Sequence, residues 1–211
     1  MLSSRTIMIP ERRPTVLVAA LALAATLTST HVAAHSGSAS GGLIGGLMHP
    51  LLGPDHVAAM VAVGLWGVFL GPPALWLLPI VFPLVMAGGG VVGVLGVPFL
   101  GVPFHGVEVA IALSAVVLGS MVAFAAKPPL PLAVALVGAF AIFHGYAHGA
   151  ELPPGADVVA YSVGFVVATG ALHLTGIAFG LVARWPLGRL AVRAVGAFIA
   201  LAGVAFLTAA R

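Results

Sequence analysis

The sequence predicts an all-α membrane protein, a polytopic bundle of six transmembrane helices that follows a cleavable signal peptide. The 211-residue chain is 61% hydrophobic and only 6% charged, whereas a soluble domain carries about 25% charged residues. Six apolar segments are each about 20 residues or longer, which is enough to cross a hydrocarbon core of about 30 Å. Their apolar runs are continuous and lack the alternation of membrane β-strands, which favours helices over a barrel.

Residues 1–34 have the pattern of a signal peptide. Arginines precede a short apolar segment over residues 15–27, and the small residues at 32–34 are typical of a cleavage site. We expect cleavage after Ala34, with an uncleaved membrane anchor as the alternative. His35 would then be the mature N-terminus. Its free amine and imidazole form a bidentate chelator, so His35 is a candidate for metal capture at the membrane surface.

Residues 35–211 are predicted to form a single transmembrane domain. Its six helices are expected at about 42–70, 73–97, 104–126, 130–150, 155–183 and 187–210. Proline and glycine mark the joints between them, as is usual where helices end. These joints are too short to hold a soluble domain.

The basic residues predict the orientation. Lys127 and the arginines at 184 and 189 fall in joints on one side of the membrane, whereas the opposite joints carry no lysine or arginine. Positive charge favours the cytoplasmic side. We therefore expect a multi-pass protein of the bacterial inner membrane with a periplasmic mature N-terminus, an orientation that the signal peptide also predicts.

Composition excludes several classes of function. The net charge is +3, but the basic residues form no stripe, so no nucleic-acid partner is expected. The chain has no cysteine, which excludes disulfides and Cys-ligated zinc or iron–sulfur centres. No G-x-x-x-x-G-K-[ST] motif is present, so the chain itself does not hydrolyse ATP.

Ionisable side chains inside the predicted spans are the candidate functional residues, because such groups are costly at bilayer depth. The candidate metal ligands are His49, Asp55, His56, His105, Glu108, His144, His148 and Glu151. His173 lies farther along the fifth span and is a candidate relay position. A lone buried histidine more often hydrogen-bonds a neighbouring helix, and that alternative stays open for His173.

The first span contains the run HPLLGPDH. His49 and His56 are seven residues apart, a spacing that predicts a shared helical face with Asp55 beside them. Pro50 and Pro54 lack amide donors, so we expect a break or kink here that frees carbonyl groups towards a cavity. Alternatively, the histidines satisfy the loosened carbonyls of a kinked helix.

The fourth span ends in the run FHGYAHGAELP. Its spacing places His144, His148 and Glu151 along one stripe. Gly145 and Gly149 have the small-xxx-small spacing that brings membrane helices together. Imidazoles in such an arrangement suit Ni, Zn, Cu or Fe.

The predicted orientation places these groups at similar depths. His105 and Glu108 begin the third span from the outer side, where the fourth span ends, and His49 lies in the outer half of the first. Asp55 and His56 fall near mid-depth. The pattern predicts a cation site that is open to the periplasm.

Four motifs resemble the HupE/UreJ family: HPLLGPDHVAAMVAVGLWG, GVEVAIALSAVVLG, FHGYAHGAELP, and the YSVGF…AT…LH pattern that begins at Tyr161. The resemblance covers essentially all six spans. It implies a bacterial inner-membrane secondary permease for Ni²⁺ that is linked to hydrogenase or urease maturation, with Co²⁺ or another divalent transition metal as the cargo of some members. No permanently bound cofactor is expected.

The resemblance also implies residue roles. The family's motif of histidine, five residues, aspartate and histidine carries over to His49, Asp55 and His56. The fourth-span histidine motif carries over to residues 144–151. The chain departs from the family pattern at Pro54, which affects the expected local backbone rather than the ligands.

We expect uptake of a divalent cation rather than an enzymatic activity, with weaker binding in acid because imidazolium does not bind metal. Two alternatives stay open. A membrane-embedded metal-dependent hydrolase would also use intramembrane His and Asp, although Ser114 and Ser120 of the third span lie in no nucleophile motif. A small-solute channel for urea or ammonia is the other alternative.

Overall fold

The computed structural model describes residues 42–99 and 101–210, and these contain helices and no strand. The helices are α1 (Leu43–Leu52), α2 (Pro54–Leu70), α3 (Ala74–Val94), α4 (Phe104–Ala123), α5 (Leu130–Ala150), α6 (Val158–Gly180) and α7 (Pro186–Ala209). A short 3₁₀ turn, Leu181–Arg184, joins α6 to α7. The predicted signal peptide and His35 lie outside the described residues.

Five helices, α3 to α7, are long and apolar enough to cross a membrane, and α1 with α2 makes a sixth span if the bent pair is counted as one. The prediction of an all-α polytopic membrane bundle is therefore confirmed. The helix bounds agree with the predicted spans to within a few residues, because apolar length and the proline-rich joints set both ends of each span.

The first span is broken at Gly53, where α1 and α2 meet at 85°. Pro54 occupies the first position of α2 and has no amide to bond the Pro50 carbonyl, which favours a break at this point. The predicted break is confirmed. The prediction that His49 and His56 share one helical face is wrong, because the two residues lie on different helices.

The second helix is the centre of the bundle. Residues 57–67 of α2 are all buried, because α3, α4, α6 and α7 surround this helix. Trp66 is fully buried, and its indole Nε1 donates to the Ala126 carbonyl at 2.9 Å. Asp55 and His56 stand at the start of this central helix and are therefore held within the bundle.

Glycines let the helix backbones touch. A Cβ atom on Gly145 or Gly149 would overlap backbone atoms of α3 at Met86 and Gly90, and a Cβ on Gly64 would overlap the His173 carbonyl of α6. The close packing that the small-xxx-small spacing predicts is confirmed. These contacts fix α5 against α3, and α2 against α6.

The two ends of the bundle differ in charge. At one end, where α2 and α6 finish, Lys127, Arg184 and Arg189 line a cavity of about 330 Å³; we call this the basic end. At the other end, α2 and α4 begin and α5 and α7 finish around a second cavity of about 250 Å³. We call it the histidine end, because the candidate ligands described below lie there.

Candidate metal site

Two histidines of α5 face the interior of the bundle. His144 is fully buried and His148 is 6% exposed. Within the described residues, neither ring nitrogen of His148 has a hydrogen-bond partner, and neither does His144 Nε2. A buried polar atom without a partner costs about 1–3 kcal/mol. Such atoms therefore indicate positions where a ligand would be stabilised.

Imidazoles from three helices meet around His148. Its ring centroid lies 4.7 Å from that of His49 on α1 and 4.4 Å from that of His56 on α2. The His56 ring lies 5.0 Å from that of His144. We call His49, His56, His144 and His148 the histidine cluster. Because the span is broken at Gly53, His49 on α1 and His56 on α2 contact the His148 imidazole from two directions.

The most compact set of ligand atoms comes from His49, His148 and Glu151, which offer atoms all within 4.8 Å of one another. The His49 Nε2 atom is 3.5 Å from Glu151 Oε2. Two ligands that each lie about 2.1 Å from one ion are at most about 4.2 Å apart. The three side chains therefore need only small movements to share a cation.

Asp55 holds His56 in place. Its Oδ1 atom lies 2.7 Å from His56 Nδ1 and accepts the His56 backbone amide at 2.9 Å. A proton on Nδ1 would be donated to this carboxylate, which leaves the Nε2 lone pair free. Nε2 is buried and has no partner in the described part of the chain. A carboxylate behind an imidazole in this way orients metal-binding histidines.

Carboxylates also line the cavity at the histidine end. Asp55, Glu108 and Glu151 contribute to its wall together with His56. Glu108 and Glu151 are exposed, so this wall carries negative charge that attracts cations. His105 is exposed in the first turn of α4 and takes no part in the imidazole contacts of the cluster. The structure thus brings Glu108 near the cluster and leaves His105 apart from it.

Aromatic residues of α6 pack against the cluster and were not predicted as part of it. The Phe165 ring lies 4.1 Å from that of His148, and the Tyr161 ring lies 5.9 Å from that of His49. Their spacing of four residues, within the YSVGF motif, is the signal that would have placed both on one face of α6. Together with His148, both residues also line a cavity of about 340 Å³.

His173 is buried, with 1% exposure, on α6. The Phe82 ring of α3 contacts both the cluster and this residue: its centroid is 5.3 Å from that of His144 and 5.2 Å from that of His173. One aromatic side chain thus packs against both His144 and His173, and Phe82 was not identified from the sequence.

The bundle and its histidine cluster define an integral membrane protein with polar, ligand-type side chains held between its helices. The chain belongs to the HupE/UreJ family, described as HupE / UreJ protein, whose profile matches residues 21–206. The family that the motifs predicted is thereby confirmed. Protein HupE of Rhizobium leguminosarum bv. viciae is 44% identical over 159 residues, which cover 75% of this chain and 81% of that protein. No solved structure matches the chain.

Proposed function

We propose that the protein is a secondary permease that takes up a divalent transition-metal cation, with Ni²⁺ as its cargo, across the bacterial inner membrane. The observation that carries the proposal is the set of ligand atoms from His49, His148 and Glu151 within 4.8 Å of one another. The HupE/UreJ family, which is linked to nickel and cobalt transport for hydrogenase and urease, supports the same assignment.

The donor set suits this cargo. Imidazole nitrogens bind nickel, copper, zinc and iron well, and carboxylates offset part of the ion's charge. One carboxylate and two imidazoles leave coordination positions for water or for His56. A permease must bind its ion firmly enough to select it and weakly enough to release it. An incomplete protein shell is consistent with that requirement.

The route begins at the histidine end. The carboxylates of Asp55, Glu108 and Glu151 concentrate cations in the cavity of about 250 Å³ at that end. The ion then exchanges part of its water for the imidazoles of His49 and His148. In the orientation that we propose, the histidine end faces the periplasm. The metal that enters would supply hydrogenase or urease maturation.

The serines of α4 weigh against a hydrolase that uses a serine nucleophile. The Ser114 hydroxyl donates to the Ile111 carbonyl at 2.6 Å, and the Ser120 hydroxyl donates to the Val116 carbonyl at 2.7 Å. Both hydroxyls are used within their own helix, so neither is presented to the histidine cluster as a nucleophile.

Uptake of radioactive nickel by cells that express the protein tests the proposal. We expect uptake above that of cells without the protein, and a fall to that background in His148→Ala and in the double variant His49→Ala, His56→Ala. The comparison variant is His105→Ala, whose imidazole lies apart from the cluster, and it should retain uptake. Unchanged uptake in the double variant would contradict the site, and competition by Co²⁺, Cu²⁺ and Zn²⁺ would rank the cargo.

A further inference from the structure

Beyond the histidine cluster, α6 carries two buried polar side chains that the proposed site does not use. Thr169 is 0% exposed and His173 is 1% exposed. In the described ranges, the Thr169 hydroxyl and both His173 nitrogens lack hydrogen-bond partners. The two residues are four positions apart, so they share one face of α6. They form a second pair of buried, unpartnered polar groups, farther from the histidine end.

A backbone carbonyl of α3 lies beside the same pair. In a regular helix, the amide of residue 83 would donate to the carbonyl of residue 79, but Pro83 has no amide hydrogen. The freed Pro79 carbonyl lies three residues before Phe82 on α3, and the Phe82 ring contacts that of His173. The Pro79 carbonyl is therefore a third candidate ligand beside the His173 imidazole and the Thr169 hydroxyl.

Phe82 packs against both this group and the cluster. It is fully buried and contacts both His144 and His173. Side chains on a helix tilt towards its N-terminus. Because α5 begins at the basic end and α6 at the histidine end, the two imidazoles lean towards each other, and each contacts the Phe82 ring.

We propose that Thr169, His173 and the Pro79 carbonyl form an inner binding site for the transported divalent cation, and that Phe82 is the barrier between this site and the histidine cluster. The inference rests on the proposed permease function and adds the second half of its route. An apolar ring at a constriction excludes hydrated ions. The cation therefore passes only after the cluster has replaced water and the ring has turned aside.

The test of the inner site uses the purified full-length protein in liposomes that contain a nickel-quenched dye, with ⁶³Ni binding measured in parallel. We expect Thr169→Val and His173→Ala to lower nickel flux about tenfold or more, the effect of about 1.4 kcal/mol in lost ligand interactions. The first nickel ion bound should keep its wild-type affinity, because the cluster is intact. Thr169→Ser retains the hydroxyl and should restore flux.

The matched control is Thr175→Val, on the same helix. The Thr175 hydroxyl is exposed and donates to the Ala171 carbonyl at 2.8 Å, so its removal should leave flux unchanged. Equal flux in Thr169→Val, His173→Ala and Thr175→Val would overturn the inner site while the permease function stands. Loss of first-ion binding in these variants would also overturn it, by placing the residues in the cluster. A wild-type protein that neither binds nor moves nickel would defeat the proposed function itself.

The barrier has its own variants. Phe82→Ala should raise the flux of Mn²⁺, which imidazole sites hold weakly, by severalfold because hydrated ions then pass. Phe82→Leu keeps an apolar plug and should behave as wild type. Phe69→Ala removes a buried ring near the basic end, away from both histidine groups, and should not raise the flux. Equal Mn²⁺ flux in all three variants and the wild type would overturn the assignment of Phe82.

Discussion

His56 and His144 hold their imidazoles in the same way. In each residue, Nδ1 lies within hydrogen-bond distance of an oxygen. The His56 Nδ1 is 2.7 Å from Asp55 Oδ1, and the His144 Nδ1 is 2.9 Å from the Phe140 carbonyl. In each, Nε2 is buried without a partner in the described residues. The oxygen selects the tautomer whose Nε2 lone pair faces the cluster, as in metal-binding histidines. Both imidazoles are thus oriented as the proposed cation site requires.

Asp55→Asn tests this arrangement at a single residue. An amide holds the His56 imidazole less firmly and carries no charge, so we expect nickel affinity to fall about 10- to 100-fold, the usual effect of losing such a supporting group. The measurement is equilibrium binding of ⁶³Ni to the purified protein. Asp157→Asn is the matched control: Asp157 caps α6 by accepting the amides of Val159 and Ala160, and asparagine caps equally well. Equal affinity in the two variants would contradict the role of Asp55.

Helix bounds were predictable because hydropathy and proline act locally. The arrangement of α1 was not predictable, although Pro54 predicted a break in the first span. The 85° angle at Gly53 depends on where α1 finds partners, namely Tyr161 and Phe165 of α6, which meet Gly46. Helix periodicity predicted that His49 and His56 share one face, but this holds only for a continuous helix, and the span is broken between them. The two residues still meet because both pack on His148.

Gly145→Ala tests the close packing of α3 and α5. The added methyl would overlap the Met86 carbonyl and the Gly90 amide, and overpacking of this kind costs about 1–3 kcal/mol. We expect a lower Tm in detergent, measured by differential scanning fluorimetry. Gly138→Ala lies on the same helix, and its methyl would meet only side-chain atoms, at 3.9 and 4.0 Å. It should keep the wild-type Tm, and an equal fall in both variants would argue against backbone contact as the cause.

The residues of the candidate site were predictable one by one, but their grouping was not. Lipid tails are as apolar as a helix interface, so hydropathy does not show which side of a span faces its neighbours. For this reason the sequence made His105 and His148 equally good candidates for metal ligands, and it did not identify Phe82 as a functional residue. In the folded bundle, α2 is surrounded by four helices. The packing of the helices decides which of these residues lie together. The His56 ring at the start of α2 lies 4.4 Å from the His148 ring near the end of α5, whereas the first turn of α4 is exposed.

The charge separation between the ends of the molecule predicts its orientation in the membrane. Lys127, Arg184 and Arg189 lie together at the basic end, which the positive-inside rule places in the cytoplasm. The chain has no cysteine, so a single introduced cysteine is the only thiol. Pro154→Cys, in the exposed loop at the histidine end, should react in intact cells with a thiol reagent that does not cross the inner membrane. Pro129→Cys, the matched exposed proline at the basic end, should react only after that membrane is opened. The reverse labelling pattern would show that the histidine end faces the cytoplasm. That result would contradict uptake in which the cation enters the histidine cluster from the periplasm.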